Sequence, residues 1–354
     1  MRRLLLVLAI AILSLGSVPV HSADLVLDRF RDYLESLRVQ AGIPGLAAAI
    51  VGTDDIVWEH GFGRQDIERS IATRPDTPFQ LDGLTQVFTA SLVLRCVEAG
   101  RLSLDDPIGR FRRNSADPNA TIRQILTHTS GTADRLVYDY DLDRLEPLTF
   151  AIRACTGDSF RETLANLLDR LAMRTSVPGG DAISLAPPAE GIPSRSTVER
   201  YRDILERLAT PYAVDQQGRV RPSQYAARTL TLTPAGGLVS TVRDLAEFDL
   251  ALKSGLLLRA DTLAAAWRAP LAPNGQRLPH GLGWFVQTYN GETIAWQFGV
   301  NNNASSSLVV TVPARGFTLI LLANSSGLVR SSALTAGDLT ASPFGRLFLG
   351  FFAR

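Results

Sequence analysis

Hydrolytic chemistry needs a nucleophile and a base, or a set of metal ligands, and this sequence is short of bases. Lys253 is its only lysine, so every other basic side chain outside histidine is arginine. Arginine stays protonated and cannot take a proton from a nucleophile. Lys253 itself stands in Ala251-Leu-Lys-Ser-Gly255, at the end of an amphipathic helical pattern. A cation there suits the helix dipole and solvent. Beyond the first residues, histidine occurs at His60, His128 and His280, none spaced with another His, Asp or Glu as a metal site requires, so no metal is expected. His128 and Ser130 invite reading as a base and nucleophile, but residues two apart at a helix end do not face each other. Ser305, Ser306 and Ser307 follow Asn301-Asn-Asn303 and read as turn formers. No Gly-x-Ser-x-Gly elbow, phosphate loop or dinucleotide fingerprint is present.

The elements that must position any site are legible from periodicity. The most apolar is Asp82 to Gly100, where Leu84, Val87, Phe88, Leu92, Val93, Leu94 and Val97 leave almost no polar face. Such a helix belongs inside a protein. Asp82 is its expected N-cap and Gly100 its expected stop. Ahead of it, Val26 to Gln40 is an amphipathic helix, and Leu46 to Val51 and Ile56 to Phe62 are strands joined by a turn. Residues 102 to 269 are mostly helical, with a capped helix from Thr121 closing at Gly131, helices at Phe160–Leu171 and Thr241–Lys253, and a Pro/Gly/Ala-rich excursion from Arg174 to Gly236. Four further strands are expected at Gly281–Gln287, Thr293–Phe298, Ser306–Val312 and Phe317–Ala323, then a helix at Pro343–Phe352. Strands from both ends of the chain around a helical block imply an α+β fold: one antiparallel sheet, flanked by the terminal helices, with a mainly helical lobe inserted.

The chain has 354 residues, 45% hydrophobic and 20% charged, with a formal net charge of +1. Nothing in that balance suggests a nucleic-acid groove or a polybasic membrane patch. Met1 to Gly16, basic at the start and then briefly apolar, with Val20-His21-Ser22 behind it, reads as an export signal over residues 1–22, cleaved near Ser22 or Ala23. The run is short for a membrane span. The expected product is a periplasmic or secreted protein, one domain over residues 23–354. Its sheet lobe takes about 23–75 plus 278–354, and its helical lobe about 76–277. Cys96 and Cys155 are the only cysteines, both in apolar helical contexts; two buried thiols are expected, with pairing left open.

Five segments in order resemble the serine β-lactamase and penicillin-binding-protein-like hydrolases. They are Phe79 to Ala90, Gly100-Arg-Leu-Ser-Leu-Asp-Asp-Pro107, Ile125-Leu-Thr-His-Thr-Ser-Gly131, Pro234 to Leu245, and Gly281-Leu-Gly-Trp284. The resemblance implies the β-lactamase/transpeptidase-like fold, no cofactor, and a Ser-x-x-Lys pair at a helix start, where lysine takes the serine's proton. Here those positions are Gly83 and Gln86. The implied Tyr-x-Asn falls on Tyr140-Asp141-Leu142, keeping the tyrosine and losing the asparagine. The implied third motif, a strand element beside the pocket, falls on Gln297-Phe298-Gly299.

Glycine cannot attack and a glutamine amide is not a base near neutral pH. The resemblance therefore implies an exported, catalytically defective relative that binds a peptide, a small acyl ligand or a protein partner. The ligand pocket would be lined by Gly83, Gln86, Tyr140, Gln297, Phe298 and Gly299. The alternative is an active hydrolase of esters, amides, D-amino acid peptides or β-lactams, with a non-standard nucleophile such as Ser130 or a water route through Tyr140.

Overall fold

The structure is a computed structural model that describes residues 22–130, 137–184, 194–215, 217–330 and 332–353. The expected export signal lies, but for Ser22, outside them, and so does Gly131. Among the described residues no helix is long and apolar enough to cross a membrane.

A seven-stranded sheet forms the centre. Its strands are β1 (Gly45–Val51), β2 (Ile56–Asp66), β3 (Ile71–Ala72), β4 (Phe285–Tyr289), β5 (Glu292–Asn301), β6 (Ser305–Val312) and β7 (Phe317–Ala323), in the spatial order β3-β2-β1-β7-β6-β5-β4. The named pairings are antiparallel, and β1 from one end of the chain pairs with β7 from the other, Leu46 opposite Ala323. Side chains of a strand alternate between faces, and here both faces are covered. Leu46, Ala48 and Ile50 of β1 join one apolar cluster with Phe30 of helix α1 (Ser22–Gln40) and Phe348 of the C-terminal helix Pro343–Phe352. Ala47, Ala49 and Val51 join the other. That second cluster holds helix α2 (Gln86–Glu98) and the helix Val242–Lys253.

Several local expectations hold. Thr121 closes a capping box and Gly100 ends the buried helix at φ +67°; the structure adds a second capping box, at Ser159. The sheet's expected strands all form, though the first of the C-terminal set begins at Phe285 rather than Gly281.

Four expectations are corrected. Asp82 does not cap: it sits at φ +51° in a 3-10 turn (Asp82–Thr85) that precedes α2, and its carboxylate accepts from Ser305 Oγ at 2.6 Å. Ser305 is not a turn former but a buried residue of β6, as are Ser306 and Ser307, for which the expected strand from Ser306 holds and the turn reading does not. Ser307 donates to Leu81 O at 2.8 Å and Ser306 to Ser325 O at 2.6 Å, so these hydroxyls tie the sheet to neighbouring backbone. Cys96 and Cys155 form a disulfide between α2 and the helix Leu148–Thr156, their Cα atoms 6.1 Å apart, in place of two thiols. Lys253 does not face solvent; its side chain is 10% exposed and pairs at 2.7 Å with buried Asp249 while donating to Gly52 O. The one amine side chain is thereby spent on structure.

Candidate functional site

The 3-10 turn and α2 bring the positions aligned with the family's nucleophile and base against β5. Gly299 has to be glycine: a β-carbon there would stand 2.1 Å from Leu81 O and 2.8 Å from Gly83 N. Gly83 has little more room. A β-carbon on it would stand 3.1 Å from Leu142 Cδ1 and 3.3 Å from Phe298 O. The position where the resemblance implies asparagine therefore supplies the leucine that packs against the vacated serine position.

Gln86 is buried, and every part of its amide is engaged. Its Nε2 donates to Tyr140 Oη at 2.8 Å and to Gly83 O at 3.2 Å. Its Oε1 lies 3.1 Å from His128 Nε2. The backbone N–H of Asp141 donates to His128 Nδ1 at 3.3 Å, which places the imidazole proton on Nε2, where it donates to Gln86. Burial pulls the His128 pKa down to about 4 and raises that of Tyr140 far above neutrality. The cluster is neutral throughout. The lone pair of its one imidazole, on His128 Nδ1, is taken by the Asp141 N–H.

The third motif position behaves likewise. Gln297 is fully buried; its Nε2 reaches His280 Nε2 at 3.1 Å and Gly283 O at 3.2 Å, and its Oε1 accepts from Phe298 N at 2.9 Å. His280 Nδ1 donates to Gly281 O at 2.9 Å, so its Nε2 is the acceptor. Burial, and then the neighbouring His128, hold His280 well below the usual imidazole range. Expected as a ligand-facing group, Gln297 has its amide consumed inside the protein. The Phe298 ring stacks on Tyr140 at 5.7 Å rather than lining open space.

The two histidine rings meet edge to face at 4.6 Å, which no spacing in the sequence announced. The only hint was that His128 and His280 each sat in or beside a segment resembling the family. Ser130 is not paired with His128, whose two nitrogens are both taken; it lines a separate cleft of about 400 Å³ with Arg112, Asp141 and Arg144. Among the described residues no group of three His, Cys, Asp or Glu could hold a metal ion.

Asp82 adds one more buried group beside Gly83. Desolvation raises its pKa to about 7, against the opposing hydrogen bond from Ser305. Tyr225, from the Pro/Gly/Ala-rich excursion, brings a buried hydroxyl close to both and has its own ionisation pushed up by burial.

The fold is shared with solved structures. The octameric penicillin-binding protein homologue from Pyrococcus abyssi superposes with a TM-score of 0.71 at 21% identity, over 92% of this chain and 77% of that one. The D-amino acid amidase from Ochrobactrum anthropi SV3 gives 0.71 at 18% identity, over 93% and 98%. Among curated proteins, Protein flp of Staphylococcus aureus (strain N315) is 28% identical over 123 residues, 33% of this chain and 25% of the relative. The mitochondrial serine beta-lactamase-like protein LACTB of Bos taurus is 25% identical over 112 residues, 30% of this chain and 20% of the relative. The matches thus span a quarter or less of these relatives' own length. The family model described as Beta-lactamase matches residues 29–341, and with the order of motifs and the split antiparallel sheet this places the chain in the beta-lactamase family.

Proposed function

We propose that this protein is an exported member of its family that does not form acyl-enzymes and acts by binding. The observation that carries this reading is the Gln86 amide, bonded at both ends to His128, Tyr140 and Gly83 O where the mechanism needs a proton-accepting amine. Losing an activated serine or its base costs a hydrolase on the order of 10⁶ in rate. Here both are gone. The packing of Leu142 against Gly83 favours a protein partner over a small acyl ligand seated in the old pocket. The Cys96–Cys155 disulfide supports an oxidising compartment, either periplasmic or extracellular.

The test is to incubate the purified mature protein with a fluorescent penicillin and with a fluorophosphonate. No covalent adduct is expected from either. A stoichiometric adduct would overturn the reading and return the protein to the active hydrolases, with Ser130 the first position to substitute.

A further inference from the structure

Strand β4 is the outer edge of the sheet, and half of that edge is open. The hairpin β4–β5 turns at Asn290 and Gly291, both at positive φ, with Tyr289 opposite Glu292. In a two-residue hairpin of this kind the flanking pair exchanges hydrogen bonds, and alternate residues point theirs outward. Val286 and Thr288 are the outward pair. Val286 is satisfied, since its N–H donates to Pro279 O at 2.8 Å. Thr288 has no backbone partner on that side among the described residues.

Thr288 opens on a cleft of about 610 Å³ whose walls include Trp267, Arg268, Arg277, Pro279 and Thr293. The lining holds no acidic residue. Arg268 follows the short helix Ala260–Ala266, and Arg277 lies on the returning arm of a turn that pairs with Leu271. Neither guanidinium makes an ion pair or a side-chain hydrogen bond among the described residues. Glu292, next to Thr293, is held by Arg315 at 2.7 Å, so it does not neutralise the cleft. A strand edge with an unmet donor and acceptor, beside two unpaired cations, suits an extended chain carrying carboxylates.

We propose that this cleft binds an extended acidic peptide segment, which adds to the sheet at Thr288 and sets a carboxylate against Arg268 and Arg277. The proposal rests on the binding role given above and names a surface for it. None of Gly83, Gln86, Tyr140 and Gln297 belongs to that surface.

The test uses the whole mature protein and a fluorescein-labelled octapeptide of alternating Asp and Val, read by fluorescence anisotropy. Saturable binding that weakens as ionic strength rises is expected. Arg268→Ala/Arg277→Ala should weaken it by about tenfold or more without changing the melting temperature, since both side chains are exposed. The same peptide N-methylated at alternate residues should also bind about tenfold more weakly, because it cannot pair with a strand edge. Absence of saturable binding, equal binding of a Lys-Val peptide, or indifference to the arginine substitutions would overturn the proposal. Competition by free glutamate as strong as by the unlabelled peptide would also overturn it, in favour of a small-anion site. A penicillin adduct would sink the loss of catalysis and leave this result untouched.

Discussion

Leu142 Cδ1 lies 3.1 Å from the point where a residue at position 83 would carry its β-carbon, and Gly83 carries none. The two substitutions fit each other: glycine makes the space that leucine fills. Restoring one family residue at a time should therefore fail. Gly83→Ser is expected to cost about 1 kcal/mol by overpacking against Leu142 and Phe298 O, with no penicillin labelling. Gln86→Lys should cost more, about 2 to 4 kcal/mol, because it sets an amine among groups matched to a neutral amide. Urea unfolding and gel fluorescence check the two halves. Labelling of either single variant would show that the surrounding cluster still supports catalysis.

Asp82 should make the protein more stable in mild acid than at alkaline pH. Its folded pKa is raised to about 7, above the ordinary carboxylate value. Its stabilising contribution is full below the unfolded value near 4 and is lost as pH rises through 7, on the order of 4 kcal/mol in all. Asp82→Asn keeps an acceptor for Ser305 and tolerates a positive φ. It should melt several degrees higher than the parent at pH 8, with the gap closing by pH 4. Equal pH profiles for parent and variant would contradict the buried, partly desolvated carboxyl.

His128 pulls the other way. Its folded pKa is depressed to about 4 by burial, so its contribution is present above the unfolded value near 6.5 and is lost as pH falls towards 4. The loss is on the order of 3 kcal/mol. Protonation adds a second N–H at Nδ1, opposite the Asp141 N–H already there. His128→Gln cannot titrate and should flatten the acid limb of the stability curve measured by urea unfolding between pH 4 and 7. A variant that loses stability with acid as steeply as the parent would place the titration elsewhere.

The disulfide should matter more than its burial suggests. Cys96 and Cys155 are 59 residues apart in sequence, and closing a loop of that length is worth about 4 kcal/mol in the chain-entropy estimate. Cys96→Ala/Cys155→Ala should unfold at correspondingly lower denaturant, and the parent should follow it when reduced. Identical midpoints with and without reductant would mean the bond does not form in the isolated protein.

Local signals were enough to read much of this protein from its sequence. The β7 strand and the last helix have the limits that alternation and turn residues implied, because each is set by a few neighbouring side chains. The absence of Ser-x-x-Lys was equally plain, since a missing lysine needs no structure to be noticed. The tertiary structure decided what stands in its place. Gln86 meets His128 across 42 residues and Tyr140 across 54, Asp82 meets Ser305 across 223, and Lys253 turns inward to the backbone of Val51 and Gly52. Those contacts depend on how distant segments stack, and composition and periodicity carry no information about which distant partner a buried polar group will find. The sequence determined that no Ser-x-x-Lys pair is present; only the fold determined that the aligned positions meet a neutral hydrogen-bonded cluster and the Leu142 side chain, because a buried polar group is costly unless it finds a partner.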